Sequence, residues 1–303
     1  MEKPILIVLC GLQGSGKSTY AREHKTMAEV VSSDEIRIEN NNNISNDKVF
    51  KEFYSRINAF LVQGKNVIAD ATNITIKSRK QIFQEVKVDC YKKIIIFNTP
   101  FEVCRERIIQ RNEKGIQPPV PIDILLRYYK NFEVPFYEEG WDEIEIFNKP
   151  TNSDSIAFAD KLLTEAEDFN QKNHHHTLTL GKHMEMTGAY LESLKENDTL
   201  VSAAYYHDVG KLFTQKFDDN GEAHYYNHGN IGAYILLSKC GCFDENHNYD
   251  VKETLNWIFY INYHMLPFDI IGKPKATAKW KKLFGEEKFY KLSRLNEADT
   301  KAK

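Results

Sequence analysis

The chain has 303 residues, of which 42% are hydrophobic and 12% aromatic, and its net charge is −3. This length allows two domains with separate cores, the composition excludes a disordered chain, and the charge indicates no polyanionic partner without excluding a local basic groove. The apolar run at residues 4–10 is too short to span a membrane, and the five cysteines show no CxxC spacing. We therefore expect a cytoplasmic protein with reduced thiols and no membrane partner.

The first half of the chain alternates short apolar runs with amphipathic stretches. Strands are predicted at residues 5–10, 29–34, 66–70, 92–98 and 143–147, with helices around 17–25, 46–63, 75–87, 101–113 and 122–131. Strands that are apolar throughout are typical of a parallel sheet that is covered by helices on both faces. Residues 1–150 are therefore predicted to form an α/β domain.

The second half of the chain loses the strand pattern. Pro, Asn and Ser at residues 148–154 indicate a linker, which we place with a helix at residues 151–172. The apolar stretches after residue 155 have helical spacing. Residues 173–303 are therefore predicted to form an all-α domain.

The segment GLQGSGKST at residues 11–19 matches the phosphate-loop pattern G-x-x-x-x-G-K-[ST], follows a predicted strand and begins a helix. Its glycines let the backbone N–H groups curl around phosphates, Lys17 neutralises the outer phosphates, and Ser18 Oγ would bind Mg²⁺. The expected ligand is ATP or another nucleoside triphosphate with Mg²⁺. The residues predicted to hold it are Gly11, Gly14, Gly16, Lys17, Ser18 and Thr19.

Two polar motifs follow the ends of later strands. Asp34 and Arg37 in SSDEIR are three residues apart and share one helical face. At the carboxyl end of a parallel strand, Asp34 could accept the proton of an attacking hydroxyl, and Arg37 could hold an acceptor phosphate. The alternative is an N-cap aspartate beside a solvated arginine. In VIADATN, Asp70 is placed to act on Mg²⁺ through water, and Thr72 and Asn73 help to shape the acceptor site.

The helix at residues 101–113 carries three arginines and precedes a Gly/Pro loop. Arg105 and Arg107 are explained equally well as part of the solvated face. Arg111, nearest the loop, is predicted to close over the transferring phosphate as the cation of a lid.

These motifs, in this order and followed by RNEKGIQPPVPIDILLRYYKNF, resemble the 5′-hydroxyl polynucleotide kinase domain of phage and bacterial end-healing enzymes over residues 4–147. The resemblance implies that Asp34 is the general base and that Arg37 binds the 3′-flanking phosphate of the acceptor. The chain departs from the phage pattern at Lys114, where the phage enzyme has a second lid arginine. The phosphate loop and DATN also occur in small-molecule kinases, whereas D-x-x-R and VPIDILLRYYK favour polynucleotides.

Histidine and aspartate residues recur in a defined order through the second half of the chain. A single histidine in such helices is more often a hydrogen-bonded core residue, but six ordered donors indicate a site for Mn, Fe, Co, Ni or Zn. The order resembles that of the HD-domain metal-dependent phosphohydrolases over residues 173–303. The donors are His183, His207, Asp208, His228, His264 and Asp299.

This second resemblance implies one or two transition-metal ions. His183, His207, Asp208 and Asp299 would form the first metal site. His228 and His264 would complete a second site, with Asp208 bridging the two ions. Lys211 would hold the substrate phosphate, and the histidines at residues 174–176 would support the site.

A phosphate-adding site and a phosphate-removing site in one chain predict a bifunctional end-healing enzyme. It would phosphorylate 5′-OH ends of RNA or DNA and remove a 2′,3′-cyclic phosphate or 3′-phosphate, after which a separate ligase could join the ends. Two alternatives remain open at the level of sequence. One is a small-molecule or nucleoside kinase fused to a nucleotide phosphohydrolase, and the other is a nucleotide-gated switch.

Overall fold

The structure is a computed structural model that describes residues 3–115, 119–173 and 177–302. The chain divides into two compact units. The first unit contains Met1–Tyr129 and Gly140–Asn148, and the second contains Lys130–Glu139 and Lys149–Lys303.

The first unit is built on a five-stranded parallel sheet. Its strands are β1 (Ile5–Gly11), β2 (Glu29–Ser32), β3 (Val67–Asp70), β4 (Tyr91–Phe97) and β5 (Glu143–Ile146), in the spatial order β2-β3-β1-β4-β5. Six helices accompany the sheet: α1 (Lys17–Glu23), α2 (Ser33–Glu39), α3 (Asn46–Val62), α4 (Ile76–Glu85), α5 (Phe101–Glu113) and α6 (Ile122–Lys130). Inner strand β3 is buried at every position, as its apolar sequence predicts. The predicted α/β fold is therefore confirmed.

The second unit is mainly helical, as predicted. Its helices are α7 (Asn152–Glu167), α8 (Leu180–Ser193), α9 (Asp198–Tyr206), α10 (Lys211–Thr214), α11 (His228–Lys239), α12 (Val251–Tyr263), α13 (Leu266–Ile270), α14 (Pro274–Phe284) and α15 (Glu286–Lys301). Two hairpins interrupt them, β6 (Lys216–Phe217) with β7 (Ala223–His224) and β8 (Cys242–Phe243) with β9 (Tyr249–Asp250). Two-residue strands are too short to show an alternating pattern, so the sequence does not predict them.

The units differ from the predicted boundaries at two places. Residues 130–139 were predicted within the first domain but group with the second unit. There, the backbone N–H of Val134 donates to Asn262 Oδ1 at 2.7 Å, and the ring of Phe136 packs edge-on against Phe259. In addition, the second unit resumes at Lys149 rather than at residue 151. The predicted linker and helix at residues 151–172 contains helix α7, which packs against α8 and α11.

None of the helices in the described ranges has the length and apolar character that a membrane-crossing segment needs.

Candidate phosphate loop and metal centre

The phosphate loop connects the carboxyl end of β1 to the beginning of α1. Gly14 and Gly16 adopt positive φ angles of 78° and 106°. A Cβ atom on Gly11 would come within 2.8 Å of the carbonyl oxygen of Phe97. The backbone conformation therefore requires glycine at these positions, as a loop that wraps around phosphates does.

Lys17 is buried at this loop. Its ammonium group donates hydrogen bonds to the carbonyl oxygens of Gly11 and Leu12, at 2.9 and 2.7 Å. Burial lowers the pKa of Lys17, while the carboxylate of Asp70 acts in the opposite direction. The ammonium is thus held where the pattern places the outer phosphates of a nucleotide.

Asp70 ends β3 and is 6% exposed. Burial raises the pKa of its carboxyl group, and the opposing influences are Lys17 and hydrogen bonds with Ser18 and Ser32. The two residues predicted to act on Mg²⁺, Ser18 and Asp70, are therefore in contact. Thr19 is exposed on α1 and accepts a hydrogen bond from Arg22 at 3.3 Å.

Asp34 and Arg37 form an ion pair on α2. Arg37 Nη1 lies 2.8 Å from Asp34 Oδ1, and the Asp34 side chain remains 55% exposed. Arg37 Nη2 also donates to Asn46 Oδ1 at 3.1 Å. The N-cap of α2 is Ser32, whose Oγ accepts from the backbone N–H of Glu35 at 3.4 Å. Asp34 is therefore not the N-cap, and its carboxylate is accessible to a substrate.

The arginines of α5 lie at different distances from the phosphate loop. Arg107 Nη1 donates to the carbonyl oxygen of Gly14 at 3.1 Å, whereas Arg111 is half-buried in the last turn of the helix. Residues four apart share a helical face, so the spacing of these two arginines could have drawn attention to Arg107. Arg111 remains the predicted lid cation, and residues 116–118 of the predicted lid loop lie outside the described part of the chain.

Asn73 has a bracing contact that the sequence does not reveal. Its φ angle is 47°, and its Nδ2 donates to the carbonyl oxygen of Leu9 at 2.9 Å. The buried guanidinium of Arg79 donates to the Asn73 carbonyl oxygen at 3.2 Å. The Asn73 side chain thus ties the end of β3 to β1, and its part in shaping the acceptor site remains a prediction.

In the second unit, the six predicted metal donors come together and all are buried. They belong to α8, the turn after α9, the first residue of α11, the turn after α12, and α15. The members are His183, His207, Asp208, His228, His264 and Asp299. The predicted supporting histidines, residues 174–176, lie outside the described residues.

The first cluster contains His183, His207, Asp208 and Asp299. His183 Nε2 lies 3.3 Å from His207 Nε2, 3.3 Å from Asp208 Oδ2 and 3.2 Å from Asp299 Oδ1. His207 Nε2 lies 3.5 Å from Asp208 Oδ2 and 3.8 Å from Asp299 Oδ1. Donor atoms of His183, His207 and Asp208 all lie within 4.8 Å of one another, whereas Asp299 contacts the two imidazoles without belonging to that group. Asp299 as the fourth ligand of the first metal remains a prediction.

The second cluster uses the other oxygen of Asp208. His228 Nε2 lies 3.1 Å and His264 Nε2 3.4 Å from Asp208 Oδ1, and the two Nε2 atoms are 2.9 Å apart. One carboxylate therefore presents one oxygen to each cluster, as a bridging ligand would.

Hydrogen bonds determine the orientation of all four imidazoles. The Nδ1 atom of each ring lies 2.7 or 2.8 Å from a backbone carbonyl oxygen. A neutral ring that donates through Nδ1 keeps the lone pair of Nε2 for a metal ion. The carbonyl partners of His183, His207, His228 and His264 are Ala302, Ala204, Tyr225 and Ile261.

The chemistry of these donors fits divalent transition metals. Two nitrogens bound to one ion at about 2.0–2.1 Å would lie roughly 3 Å apart, and the observed Nε2 separations are 3.3 and 2.9 Å. Imidazole and carboxylate donors suit Mn, Fe, Co, Ni or Zn. The residues of the two clusters would hold one ion each.

The charges of the cage also favour a cation. Burial would raise the pKa of Asp208, but Lys211 and His207, followed by hydrogen bonds, hold it well below its usual range. Burial likewise opposes the charged form of His183, yet the carboxylates of Asp208 and Asp299 raise its pKa to about 10. The carboxylates of Asp208 and Asp299 therefore favour positive charge at the first cluster.

Gly210 allows the turn after Asp208 to pack against α11. A Cβ atom at this position would lie 2.0 Å from the carbonyl oxygen of His228. That clash would push apart two segments that both carry metal donors.

We predict that Gly210→Ala lowers thermal stability and metal content together. Forcing extra volume into a packed interior costs about 1–3 kcal/mol. The matched control is Gly221→Ala, since a Cβ at Gly221 meets no atom within 4 Å although its φ is +79°. Calorimetry and elemental analysis should show metal loss for Gly210→Ala only, and full metal content in that variant would contradict the role of this close contact.

Comparisons with known proteins match two parts of the chain to two different family models. Residues 6–135 match the family model for an AAA domain, and residues 173–286 match the model for an HD domain. The chain thus combines a P-loop domain of the AAA type with an HD domain.

Named relatives match about half of the chain. A protein of Acanthamoeba polyphaga mimivirus, "Putative bifunctional polynucleotide phosphatase/kinase", is 30% identical over 148 residues, which are 48% of this chain and 33% of that protein. An L-seryl-tRNA(Sec) kinase of Methanococcus maripaludis is 27% identical over 155 residues, 46% of this chain and 56% of the relative. The chain therefore spans between a third and about half of the length of these relatives.

Among solved structures, a chain of the Pnkp1/Rnl/Hen1 RNA repair complex is 25% identical, with 42% of this chain and 43% of that chain covered. The TM-score of 0.39 is too low to establish a common overall fold.

Proposed function

We propose that this chain heals polynucleotide ends. Its first unit would transfer a phosphoryl group from ATP to a 5′-OH end, and its second unit would remove a 2′,3′-cyclic phosphate or 3′-phosphate. The carrying observation is the presence, in one chain, of a phosphate loop beside the Asp34–Arg37 pair and a His/Asp cage with a shared carboxylate. The name of the mimivirus relative, which joins both activities, supports the same proposal.

The two reactions would act on one broken strand. A break can leave a terminal phosphate on the 3′ side and a hydroxyl on the 5′ side, whereas a ligase requires the opposite pattern. A separate ligase is therefore the partner that would use the product, and the ends of RNA or DNA are the substrates.

In the kinase reaction, Asp34 would accept the proton of the attacking hydroxyl, because its carboxylate is accessible and belongs to no helix cap. Arg37 would bind a phosphate of the acceptor strand. Lys17 would neutralise the outer phosphates of the donor, while Ser18 and Asp70 would hold Mg²⁺.

In the hydrolase reaction, the two clusters would hold transition-metal ions, which supply an activated water and neutralise charge on the phosphate. Asp208 would orient both clusters through its two oxygens. Lys211, whose Nζ lies 2.6 Å from Asp208 Oδ2, would bind the substrate phosphate.

The direct test uses an oligonucleotide with a 5′-OH and a 2′,3′-cyclic phosphate, incubated with ATP, Mg²⁺ and Mn²⁺. Mass spectrometry should show a phosphate gained at the 5′ end and lost at the 3′ end. Phosphorylation of free nucleosides with no reaction at either oligonucleotide end would refute the proposal and favour the small-molecule alternative.

A different acceptor is the second candidate, because 46% of the chain also matches a kinase named for L-seryl-tRNA(Sec). Competition between a 5′-OH oligonucleotide and seryl-tRNA for limiting enzyme would separate the two acceptors. A nucleotide-gated switch remains a third reading. It would leave Asp34→Asn without effect on its output, since a switch needs no base for an acceptor.

We predict that Arg37→Ala raises the KM for the oligonucleotide about 10-fold or more and changes the KM for ATP little. A hydrogen-bonded charge pair with phosphate is worth about 1.5–3 kcal/mol, and Arg37 is proposed to bind the acceptor rather than ATP. The control is Arg56→Ala on α3, which removes an arginine paired with Glu39 and Glu52. The two KM values are measured by steady-state kinetics, with the oligonucleotide and ATP varied in turn. Equal increases in both KM values would place Arg37 outside the acceptor site.

A further inference from the structure

Lys211 is a buried cation beside the metal cage. Only 4% of it is exposed, and its Nζ lies 2.6 Å from Asp208 Oδ2 and 2.8 Å from Gln171 Oε1. Oδ2 is also the oxygen that faces His183 and His207. A metal ion in the first cluster and the ammonium of Lys211 would therefore share one carboxylate oxygen.

Gln171 lies in the connection between α7 and α8 and is 1% exposed. The side-chain Nε2 of Gln171 donates to the carbonyl oxygen of Leu178 at 3.3 Å. The backbone carbonyl oxygen of Gln171 accepts from the Tyr225 hydroxyl at 2.5 Å. The ring of Tyr225 lies 5.5 Å from the ammonium of Lys211. The main chain and the side chain of Gln171 are thus both held in place around the lysine.

We infer that Gln171 is a positioning residue that holds the ammonium of Lys211 ready to bind the substrate phosphate. The inference rests on the proposed phosphoesterase function of the second unit. A neutral amide oxygen accepts a hydrogen bond from lysine without cancelling its charge, which a second carboxylate would do.

Metal binding explains why a neutral anchor is needed. Cations bound to Asp208 would weaken the attraction between its carboxylate and the ammonium of Lys211. The amide oxygen of Gln171 keeps the ammonium in place, where its positive charge attracts an anion. A buried ammonium whose carboxylate partner also binds cations gains from the negative charge of a phosphate.

The test measures the binding of inorganic phosphate to the metal-loaded full-length protein by calorimetry, which requires no turnover. Gln171→Leu removes the anchor and nearly preserves volume, so the Kd should rise about 10-fold with unchanged metal content. The matched control is Gln215→Leu, because Gln215 donates to the Tyr225 hydroxyl at 2.7 Å in the same network. That variant should bind phosphate within about twofold of the wild type.

A double-mutant cycle separates positioning from simple structural support. In a Lys211→Ala background, Gln171→Leu should have no further effect on phosphate binding, because Gln171 acts through Lys211. Additive losses, or wild-type binding by Gln171→Leu, would overturn the inference. If Gln171→Leu loses metal, the variant Gln171→Glu is tested instead. Its carboxylate would neutralise the charge of Lys211, so phosphate binding should weaken. Wild-type phosphate binding by Gln171→Glu would overturn the inference.

The outcome is distinguishable from a failure of the proposed function. A wild-type protein that binds phosphate in the predicted way but cleaves no polynucleotide phosphate would refute the function and leave the Gln171 role intact. Hydrolysis that is unaffected by Gln171→Leu would refute only the role of Gln171.

Discussion

Asp208→Ala is expected to remove both metal ions and to reduce phosphoesterase activity by more than about 100-fold, since loss of even an outer-shell partner of a metal typically costs 10–100-fold. Asp208 presents one oxygen to each histidine cluster, at 3.1–3.5 Å from the four Nε2 atoms. Its loss removes the charge that would separate and hold two cations. Elemental analysis should show about two metal ions per chain in the wild type and almost none in the variant.

His264→Ala is the informative comparison, because the Nε2 atom of His264 faces the second cluster, although its ring also packs edge-on against His207. It should keep about one ion and an intermediate activity. Asp160→Asn, an exposed aspartate on α7, is the control for a general effect of charge, and kinase activity should be unchanged in all three variants. A wild type with one ion and full hydrolysis by His264→Ala would reject the two-metal arrangement in favour of the first cluster alone.

Lys17→Ala and Asp34→Ala are expected to lower 5′ phosphorylation about 100-fold or more and to leave phosphate removal nearly intact. Lys17 would stabilise charge on the transferring phosphoryl group, and Asp34 would accept the proton of the attacking hydroxyl. Removing either contribution lowers a rate by a factor of this order. The ammonium of Lys17 is held by two loop carbonyl oxygens, so its removal also takes one hydrogen bond away from each of them. Rates should be measured at saturating ATP, with the cyclic phosphate hydrolysis of the same preparation as the internal reference.

Glu35→Gln is the matched control for Asp34, because Glu35 is the adjacent exposed carboxylate in the first turn of α2. It should retain the wild-type kinase rate. Asp34→Asn tests charge without loss of shape and should be as inactive as Asp34→Ala. A wild-type rate in either Asp34 variant would exclude Asp34 as the proton acceptor.

The first unit could be predicted largely from local sequence. Apolar runs and their spacing predict the strands and helices, and the phosphate-loop pattern predicts the ligand. Both signals come from residues that are neighbours in the chain. The contact of Arg107 with Gly14 could not be predicted, because the two residues are 93 positions apart. The same holds for Asn73, whose side chain binds the carbonyl oxygen of Leu9 on another strand.

In the second unit, the order of histidines and aspartates predicted the donors but not which atoms face one another. Residues 183–299 contribute donors from five segments, and only helix packing brings their Nε2 and carboxylate oxygens within 4 Å. The grouping of residues 130–139 with the second unit could not be predicted either. The sequence of these apolar side chains is the same whichever of the two cores they pack in.

By itself, the sequence determined the α/β unit, the helical unit and the phosphate loop, and it predicted six residues as metal donors. Residue type and spacing suffice for these features, because secondary structure and donor chemistry are local properties. The tertiary structure alone decided that Asp208 divides its oxygens between two clusters, that Ser32 rather than Asp34 caps α2, and that Gln171 anchors Lys211. These features depend on distances between atoms whose residues are held together by packing, and for Gln171 and Lys211 the separation along the chain is 40 residues.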